Sequence, residues 1–425
     1  MSTGRVELGL RENLAQFSLL VVINAFVGAM IGLERSTLPI IGETDFALAS
    51  KAAVLSFIVA FGLAKALTNL GAGALAQRLG RRRLLIAGWA IALPVPLLIA
   101  VAPSWGWIVA ANVLLGINQG LAWSMTVVMK IDLVGPDRRG FALGLNEAAG
   151  YGGVAVAAAA SGWLASELAP RDVLVGAGTG IALLALALSV LLVRDTAAHV
   201  ALEQGRHPGA GERAPSLSRA FSDATWRAPA LRSCSQAGLV NNLNDALAWG
   251  LVPLYLAADG ATVAEIGLVA GVYPGVWGLG QIWTGRWSDR VGRKRPIVGG
   301  MLVQAVALGV LAISGGAVAV AALAAALLGI GTALVYPTLI AAISDAVAPV
   351  ARATTVGVYR FWRDMGYVAG GLLAGTLADV LGFSGAVGIV AALTAASGLW
   401  VARDLPSRSA PLATHIELPP SHVGG

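Results

Sequence analysis

Charged residues are scarce in this sequence. Only 12% of the 425 residues are Asp, Glu, Lys or Arg, whereas 57% are hydrophobic, and the mean hydropathy is +0.76. A water-soluble domain carries roughly 25% charged residues, so most of the surface is not expected to face water. The alternation of polar and apolar residues that is typical of a transmembrane β-barrel is also absent. The composition therefore favours a bundle of membrane-spanning helices.

Cysteine and histidine are nearly missing from the chain. A single cysteine, Cys234, excludes an internal disulfide bond. The four histidines all lie outside the long apolar segments, in a central linker or in the tail: His199, His207, His415 and His422. A His/Cys metal site or a catalytic triad inside a helical bundle is therefore not expected. We expect no cofactor, no metal and no enzyme activity.

Twelve apolar segments account for most of the chain, and each has close to the roughly 20 residues that a helix needs to cross a bilayer. They lie at approximately 17–41, 46–73, 84–102, 106–130, 141–166, 172–193, 233–257, 264–288, 297–314, 317–344, 354–380 and 384–402. We predict an all-α polytopic membrane protein with 12 transmembrane helices. Between the sixth and seventh segments, residues 194–232 are rich in Arg, Ala, Pro and Ser, which is typical of a linker. A short interfacial helix near Trp226 and a disordered linker fit these residues equally well.

The net charge of +6 is concentrated on one side of the predicted bundle. Most Lys and Arg residues lie in the linker and in the turns that follow even-numbered spans, whereas the opposite loops hold few. The positive-inside rule then places these turns and both termini in the cytosol. Membrane topology thus explains the positive net charge, and no nucleic-acid partner is expected. An Ala-, Gly- and Arg-rich chain with one cysteine points to a bacterial plasma membrane.

A basic turn occurs twice in the chain, half a chain length apart. Residues 73–83 read GALAQRLGRRR, and residues 285–295 read GRWSDRVGRKR. A second pattern recurs at a constant offset, because Asp132, Pro136, Arg139 and Gly144 match Asp345, Pro349, Arg352 and Gly357. Such an internal repeat indicates two related halves with a site between them, which is the architecture of a secondary transporter.

Both turns resemble the G-x-L-A-D-R-x-G-R-R signature between the second and third spans of the major facilitator superfamily. The second copy matches this signature nearly completely, whereas Gln77 stands at the acidic position of the first copy. The resemblance covers residues 17–402 and implies two pseudo-symmetric six-helix bundles that rock about a central site. We accordingly predict four parts: an N-terminal bundle at 1–193, a cytosolic linker at 194–232, a C-terminal bundle at 233–402 and a disordered cytosolic tail at 403–425.

The resemblance also implies a gate on the cytosolic side. In the family, the acidic residue of the signature and an arginine lock the two halves together in the outward-facing state. By resemblance, Asp289 pairs with Arg293 here, and Asp132 or Asp345 pairs with nearby arginines. The neutral Gln77 predicts a weaker first latch, and simple anchoring of the arginines in lipid headgroups is the alternative. The residues assigned to gating are Asp289, Arg290, Arg293, Gln77, Arg78, Arg82, Asp132, Asp345 and Asp364.

Charged residues also lie deep within the predicted spans, where each costs ~2.5–3.5 kcal/mol by insertion scales and is a candidate functional residue. There are six of them: Lys65, Glu147, Asp245, Arg360, Arg363 and Asp364. Aromatic and amide side chains lie at matching depth. The residues assigned to substrate binding and coupling are Asp245, Asn241, Asn244, Glu147, Arg360, Arg363, Lys65, Trp277, Gln281 and Tyr336.

A polar run marks the seventh span. Asp245 lies near the predicted bilayer midplane, and the helical spacing puts Asn241 and Asn244 on the same face. This run predicts substrate binding together with a titratable carboxylate for proton coupling. Hydrogen bonds between helices are the alternative interpretation.

Two predicted contacts connect the halves. Lys65 and Asp364 lie at matching depths on spans two and eleven, which face each other in the family. We predict an ion pair between them that must break during transport, in competition with an Arg360–Asp364 pair within one helix. Glu147 on span five is predicted to face span eight, where aromatic side chains including Trp277 recur at helical spacing. That aromatic stripe fits packing and also fits stacking on an organic solute.

Three further charged residues are placed at the ends of predicted spans. Lys130 lies near the cytosolic edge, where a snorkelling side chain is inexpensive. Glu34 and Arg35 are assigned to the outer end of span one, as an interfacial pair or as an outer gate.

The sequence therefore predicts a monomeric transporter in a lipid bilayer that moves a small organic solute by alternating access, coupled to protons. Arg360 and Arg363 favour an anionic or zwitterionic solute. One alternative is a drug/proton antiporter, although the Gly-Pro-x-x-Gly-Gly run of that branch is replaced by residues 150–153, which read GYGG. Another is a membrane sensor that has lost transport, which only Gln77 supports.

Overall fold

The computed structural model describes residues 6–135, 139–206, 215–347 and 351–406. Within these ranges the elements are helices, and none of the described residues forms a strand. The predicted all-α class is confirmed.

The first half contains eight helices. They are α1 (Leu14–Arg35), α2 (Leu38–Thr44), α3 (Lys51–Leu79), α4 (Arg81–Ala92), α5 (Pro94–Ala100), α6 (Trp105–Val134), α7 (Arg139–Leu164) and α8 (Pro170–Leu191). The break between α4 and α5 falls at Pro94, which has no amide hydrogen to continue the ladder and suits the first position of a new helix.

The second half is built from another set of helices. They are α11 (Pro229–Ala246), a π-helical turn (Leu247–Leu251), α12 (Val252–Ala258), α13 (Val263–Val291), α14 (Lys294–Ala312), α15 (Val318–Asp345) and α16 (Arg352–Asp404). Helix α16 holds two predicted spans, and Gly382 separates them with a φ of 72°. Only glycine adopts this left-handed conformation without strain, which explains the kink at this position.

Most described residues of the linker are helical. It forms α9 (Ala197–Arg206), α10 (Leu217–Ser222) and a π-helical turn (Asp223–Arg227). The ring of Phe221 packs against Trp362 of α16, and the indole Nε1 of Trp362 donates to Thr225 Oγ1 at 2.9 Å. Residues 217–227 therefore form a helix docked on the second half, whereas its location at the membrane interface stays a prediction.

Nine helical segments in the described ranges are long and apolar enough to cross a membrane. The other three of the twelve predicted spans also fall on helix. They correspond to α7, to α11 with α12, and to the second part of α16. The count of twelve membrane crossings thus remains a prediction, while a polytopic helical bundle is confirmed.

The basic turns define one end of the bundle, called here the basic end. In each copy the turn between two helices contains a glycine with a positive φ, which is 88° at Gly80 and 84° at Gly292. Because both positions need a positive φ, the glycine of the repeated motif has a conformational reason. The opposite end of the bundle is called the far end.

The two halves meet through α3 with α16 and through α7 with α13. At the far end these helices touch at small residues: Gly162 lies against Gly267, and Gly375 lies against Ala52. Glycine at such positions lets two backbones approach closely. Towards the basic end, none of the described atoms lies within 4 Å of an ideal Cβ at Gly73, Gly144, Gly285 or Gly357. The structure is thus closed at the far end and splayed at the basic end.

A carboxylate from one half caps a helix of the other half at the closed end. Asp379 of α16 accepts hydrogen bonds from Ser50 Oγ (2.7 Å), Lys51 N (2.6 Å) and Ala52 N (3.2 Å). These groups form the N-terminus of α3, where free amide hydrogens and the helix dipole favour a negative charge. Asp379 therefore helps to hold the far end closed.

Candidate functional site

A cluster of buried charges lies where the two halves meet, midway along the bundle. Five of the six charged residues that the sequence places deep in the spans are at most 5% exposed: Lys65, Glu147, Asp245, Arg363 and Asp364. The sixth, Arg360, is only half-buried. Charges taken out of water need partners, so each of these five residues is expected to have a polar or charged neighbour.

Lys65 and Asp364 face each other across the interface. The Nζ atom of Lys65 on α3 lies 3.8 Å from Oδ1 of Asp364 on α16. The second carboxylate oxygen accepts from Asn69 Nδ2 at 2.5 Å, and Asn69 Oδ1 accepts in turn from Ser124 Oγ at 2.8 Å. The ring of Tyr367 lies 5.4 Å from the Lys65 ammonium. One charged network therefore joins α3 and α6 of the first half to α16 of the second.

Asp245 is fully buried on α11 and is surrounded by hydroxyl donors. Its two carboxylate oxygens accept from the phenol of Tyr273 and from the phenol of Tyr367, the latter at 3.3 Å. Arg363 Nη2 lies 4.0 Å from the same carboxylate. Hydrogen bonds to an ionised carboxylate are stronger than neutral ones, so the three groups stabilise a charged Asp245.

Arg363 connects the second half to the first. Its Nη2 donates to the phenol oxygen of Tyr151 on α7 at 3.0 Å, and its Nη1 lies 3.6 Å from Asp364. The guanidinium also lies over the ring of Tyr336, 4.2 Å from the ring centroid. Its Nε, however, is buried and has no hydrogen-bond partner among the described residues. One donor of this arginine is therefore available for a ligand or a water molecule.

An aromatic wall adjoins Arg363. Tyr151 of the first half stacks on Trp277 of the second, with ring centroids 3.5 Å apart, and Tyr336 meets Trp277 edge-on at 5.7 Å. The indole nitrogen of Trp277 and Nε2 of Gln281 are buried and find no hydrogen-bond acceptor in the described part of the chain. The predicted stripe on span eight thus lies at the interface between the halves and carries two unused donors.

Glu147 lies beside this wall on α7 and is 2% exposed. Its Oε1 accepts from the indole of Trp123 at 2.9 Å and from Asn146 Nδ2 at 3.1 Å. Its Oε2 is buried and has no hydrogen-bond donor within the described ranges. Unpaired acceptors and donors therefore lie on both sides of one interface.

Asn241 and Asn244 bind side chains of neighbouring helices in the second half. Both bind the amide of Gln304 on α14, with Gln304 Nε2 donating to Asn241 at 3.0 Å and Asn244 Nδ2 donating to Gln304 at 2.9 Å. Asn244 also accepts from Thr394 at 3.0 Å. These bonds hold helices of the second half together, which is the alternative interpretation of the polar run. Only Asp245 of that run contacts the buried charges.

The predicted latch residues form ion pairs inside each half rather than between the halves. Arg293 Nη1 lies 2.5 Å from Asp289, and Arg293 Nε lies 2.8 Å from Asp345. Burial lowers the pKa of Arg293, but hydrogen bonds to Asp345 and Asp289 outweigh that effect and raise the pKa above its usual value. In the first half, Arg81 Nε lies 2.6 Å from Asp132. The sequence assignment omits Arg81, although the repeat pairs it with Arg293.

The remaining gating residues lie on the surface of the basic end. Exposed positions in the two turns are Gln77, Arg78, Asp289 and Arg290. Arg82 binds within its own half, because its Nη2 donates to Val190 O at 2.6 Å. Since the halves are apart at this end, each ion pair described above for these turns lies within one half.

Three charged residues that the sequence assigns to the ends of spans are buried among the helices. Arg35 is 0% and Glu34 is 3% exposed, because the first span continues from Leu14 through α2 to Thr44 and leaves both residues in its interior. Lys130 is also 0% exposed, and its Nζ donates to Leu20 O of α1 at 3.3 Å. The signal available in the sequence is a charged pair followed by a further apolar run, residues 38–42.

Known proteins share this sequence pattern and this fold. The sequence model of the Major Facilitator Superfamily matches residues 17–236 and 234–421. An uncharacterised MFS-type transporter of Salmonella typhimurium, STM4428, is 27% identical over 336 residues, which span 76% of this chain and 79% of that protein. A crystal structure of a mutant of the nucleoside transporter NupG superimposes with a TM-score of 0.73. It covers 92% of this chain and 100% of its own, at 13% identity, and at that identity the likeness concerns the fold.

Proposed function

The chain belongs to the major facilitator superfamily, and on that premise we propose that it moves a small organic anion or zwitterion across a bacterial plasma membrane by alternating access, coupled to protons. The observation that carries the solute class is Arg363. Its guanidinium lies at the interface of the halves, is anchored to Tyr151 and Asp364, and keeps its Nε unpaired among the described residues. A carboxylate or phosphate is the natural partner of such a group.

Alternating access is supported by the unequal ends of the bundle. The far end is closed by close contacts between small residues and by the Asp379 cap, whereas the same helices separate at the basic end. A transporter of this kind opens one end at a time around a fixed central site. The Lys65–Asp364 pair lies between these ends and joins the halves, so it must change partners as they rock.

Proton coupling is assigned to Asp245 and Glu147. Asp245 accepts from Tyr273 and Tyr367 beside Arg363, so a proton on its carboxylate would weaken its hold on that arginine. Glu147 has an unpaired Oε2 within the described ranges. Buried carboxylates at the centre of a bundle are characteristic of proton relays.

The orientation and the domain limits complete the proposal. We place the basic end and both termini in the cytosol, since basic turns remain on that side. The two bundles are assigned to 1–193 and 233–402, the linker to 194–232 and the tail to 403–425. The protein is taken to act as a monomer without enzyme activity.

Drug efflux is the second candidate, and the aromatic wall favours it. Tyr151, Trp277 and Tyr336 surround Arg363 and offer π faces to a lipophilic cation. The guanidinium in their midst, however, would repel such a cation. The anionic solute therefore fits the same surface better.

A thermal-stability panel on the purified protein tests the solute class. Its probes are lactate, benzoate, glycine, glycerol 3-phosphate, glucose and tetraphenylphosphonium. A ligand that binds the folded state raises the free energy of unfolding, by about 2.7 kcal/mol at a hundredfold excess over Kd, and so raises the melting temperature. We expect an acid or zwitterion to stabilise the wild type and Arg171→Gln, which removes an arginine paired with Asp45, but not Arg363→Gln. Stabilisation by tetraphenylphosphonium alone would transfer the assignment to drug efflux.

A further inference from the structure

Arg35 of α1 is a buried cation without a hydrogen bond to the central cluster among the described residues. Its side chain is 0% exposed, and its Nε, Nη1 and Nη2 have no hydrogen-bond acceptor anywhere in the described ranges. The neighbouring Glu34 keeps its Oε2 without a donor in the same part of the structure. A guanidinium carries five N–H donors and cannot shed its charge, so a closed state with no acceptor for it is costly.

Aromatic rings from both halves enclose this guanidinium. Its central carbon lies 5.3 Å and 4.8 Å from the ring centroids of Phe57 and Phe61 on α3, and 5.7 Å from the ring of Trp249 in the second half. Ring faces attract a cation, but they do not accept the N–H groups that point outward in the guanidinium plane. The enclosure therefore excludes water and leaves the donors unused.

The wall contributed by the second half belongs to the closed far end. Next to Trp249, a Cβ at Gly250 would lie 2.6 Å from Ile58 Cδ1 of α3, so the π-helical turn packs tightly on the first half. The Asp379 cap on α3 closes the same end. Separation of the halves at this end would withdraw Trp249 and leave Arg35 on the first half, facing the new opening.

We propose that Arg35 is an oxyanion subsite that binds the carboxylate or phosphate group of the solute when the far end is open. The inference rests on the proposed function and assigns the group that meets the solute from that side. The planar fork of the guanidinium matches two oxygens of either anion. Phe57 and Phe61 form the apolar floor of the subsite, and Arg363 is the arginine nearer to the basic end.

Matched pairs of acids and uncharged analogues test this subsite on the purified full-length protein. The probes are lactate with lactamide, benzoate with benzamide, and glycerol 3-phosphate with glycerol, which separate carboxylate from phosphate recognition. The wild type is expected to bind at least one acid about tenfold or more tighter than its analogue. Arg35→Gln should lose that preference while its affinity for the analogue stays the same. Arg35→Lys should keep part of it, because the charge remains but the fork is lost.

An arginine outside the proposed subsite serves as the control. Arg171→Gln removes a partly exposed arginine that pairs with Asp45 at 2.8 Å, and it should keep the acid preference of the wild type. Unchanged acid preference in both Arg35 variants would overturn the subsite while leaving the proposed function intact. No acid preference in the wild type would overturn the subsite, and binding of tetraphenylphosphonium alone would overturn the proposed function with it. Equal loss of acid and analogue binding in Arg35→Gln and Arg35→Lys would make Arg35 a structural residue and would also overturn the subsite.

Discussion

Lys65 and Asp364 form an ion pair across the interface of the two halves, with 3.8 Å between Nζ and Oδ1. Each is almost fully buried, and each lies on a helix that carries the contact between the halves. The pair therefore balances two buried charges and joins the two halves.

Removal of one partner of this pair should destabilise the protein more than removal of both. Lys65→Met leaves Asp364 with Arg363 and Asn69, whereas Asp364→Leu leaves Lys65 without its carboxylate. Breaking a buried pair costs about 3–5 kcal/mol, whereas an apolar replacement of both partners is often neutral. Thermal unfolding of the two single variants and the double variant measures the coupling. Strictly additive effects would show that the two charges do not interact.

The open glycines at the basic end should be needed for its closure but not for folding. Gly144 meets no described atom within 4 Å of an ideal Cβ, whereas Gly162 on the same helix lies against Gly267. The free energy of unfolding of Gly144→Leu should therefore lie within about 0.5 kcal/mol of the wild-type value, as it does for surface substitutions. Gly162→Leu should destabilise by about 1–3 kcal/mol through overpacking.

Spin-label distances supply the second readout for these glycine variants. Labels at Arg83→Cys and Arg295→Cys, both exposed at the basic end, report its opening in a Cys234→Ser background. Gly144→Leu should abolish the short-distance population that the wild type reaches on closing. A short distance retained in this variant would argue against closure through these helices.

Loss of the Asp379 cap should favour an open far end. Three hydrogen bonds from Ser50, Lys51 and Ala52 end on this carboxylate. Deleting a helix cap costs about 0.5–2 kcal/mol, so Asp379→Ala should raise the population of the open form by a factor of about 2–30. Asp172→Ala removes an exposed acid from the first turn of α8, within one half, and serves as the control. Equal spin-label distance distributions at the far end in Asp379→Ala and Asp172→Ala would show that Asp379 does not help to close this end.

The linker should respond to pH through His199. Burial lowers the pKa of this histidine below its ordinary value of 6.5, and its Nε2 lies 3.2 Å from Asn13 Oδ1. A lowered pKa means that the folded state favours the neutral ring, so this contribution is present above pH 6.5 and is lost as the pH falls through the lower folded value. The protection of the α9 amides, which is their exchange rate corrected for the intrinsic rate at each pH, should therefore fall in acid. His199→Gln should make that protection independent of pH over the same range.

The sequence predicts the parts of the fold that follow from composition and from the repeat. Apolar length gives the helices, and the duplicated turn gives two halves. Matching depths on spans two and eleven bring Lys65 and Asp364 together, because helix rise fixes depth along a span. The rise per residue also places Asp245 near the predicted midplane, at the depth of the other buried charges.

Side-chain direction and local helix breaks are what the sequence does not settle. Asn241 and Asn244 are close to Asp245 in sequence, but they point to Gln304 and Thr394 within the second half. The sequence alone assigns Arg35 to the end of the first span, whereas α2 extends that span beyond Arg35. Which end of the bundle is closed depends on a small free-energy difference between two packings, and no single residue encodes it.

Flux into proteoliposomes tests the central claim most directly. The solute is the acid or zwitterion that stabilises the purified protein most, and an imposed pH gradient drives it. We predict saturable flux with the wild type and with Arg171→Gln, at least about a hundredfold less flux with Arg363→Gln, and collapse of accumulation when the gradient is dissipated. Flux of the acid through Arg363→Gln at the wild-type rate, or transport of tetraphenylphosphonium instead of the acid, would contradict the account.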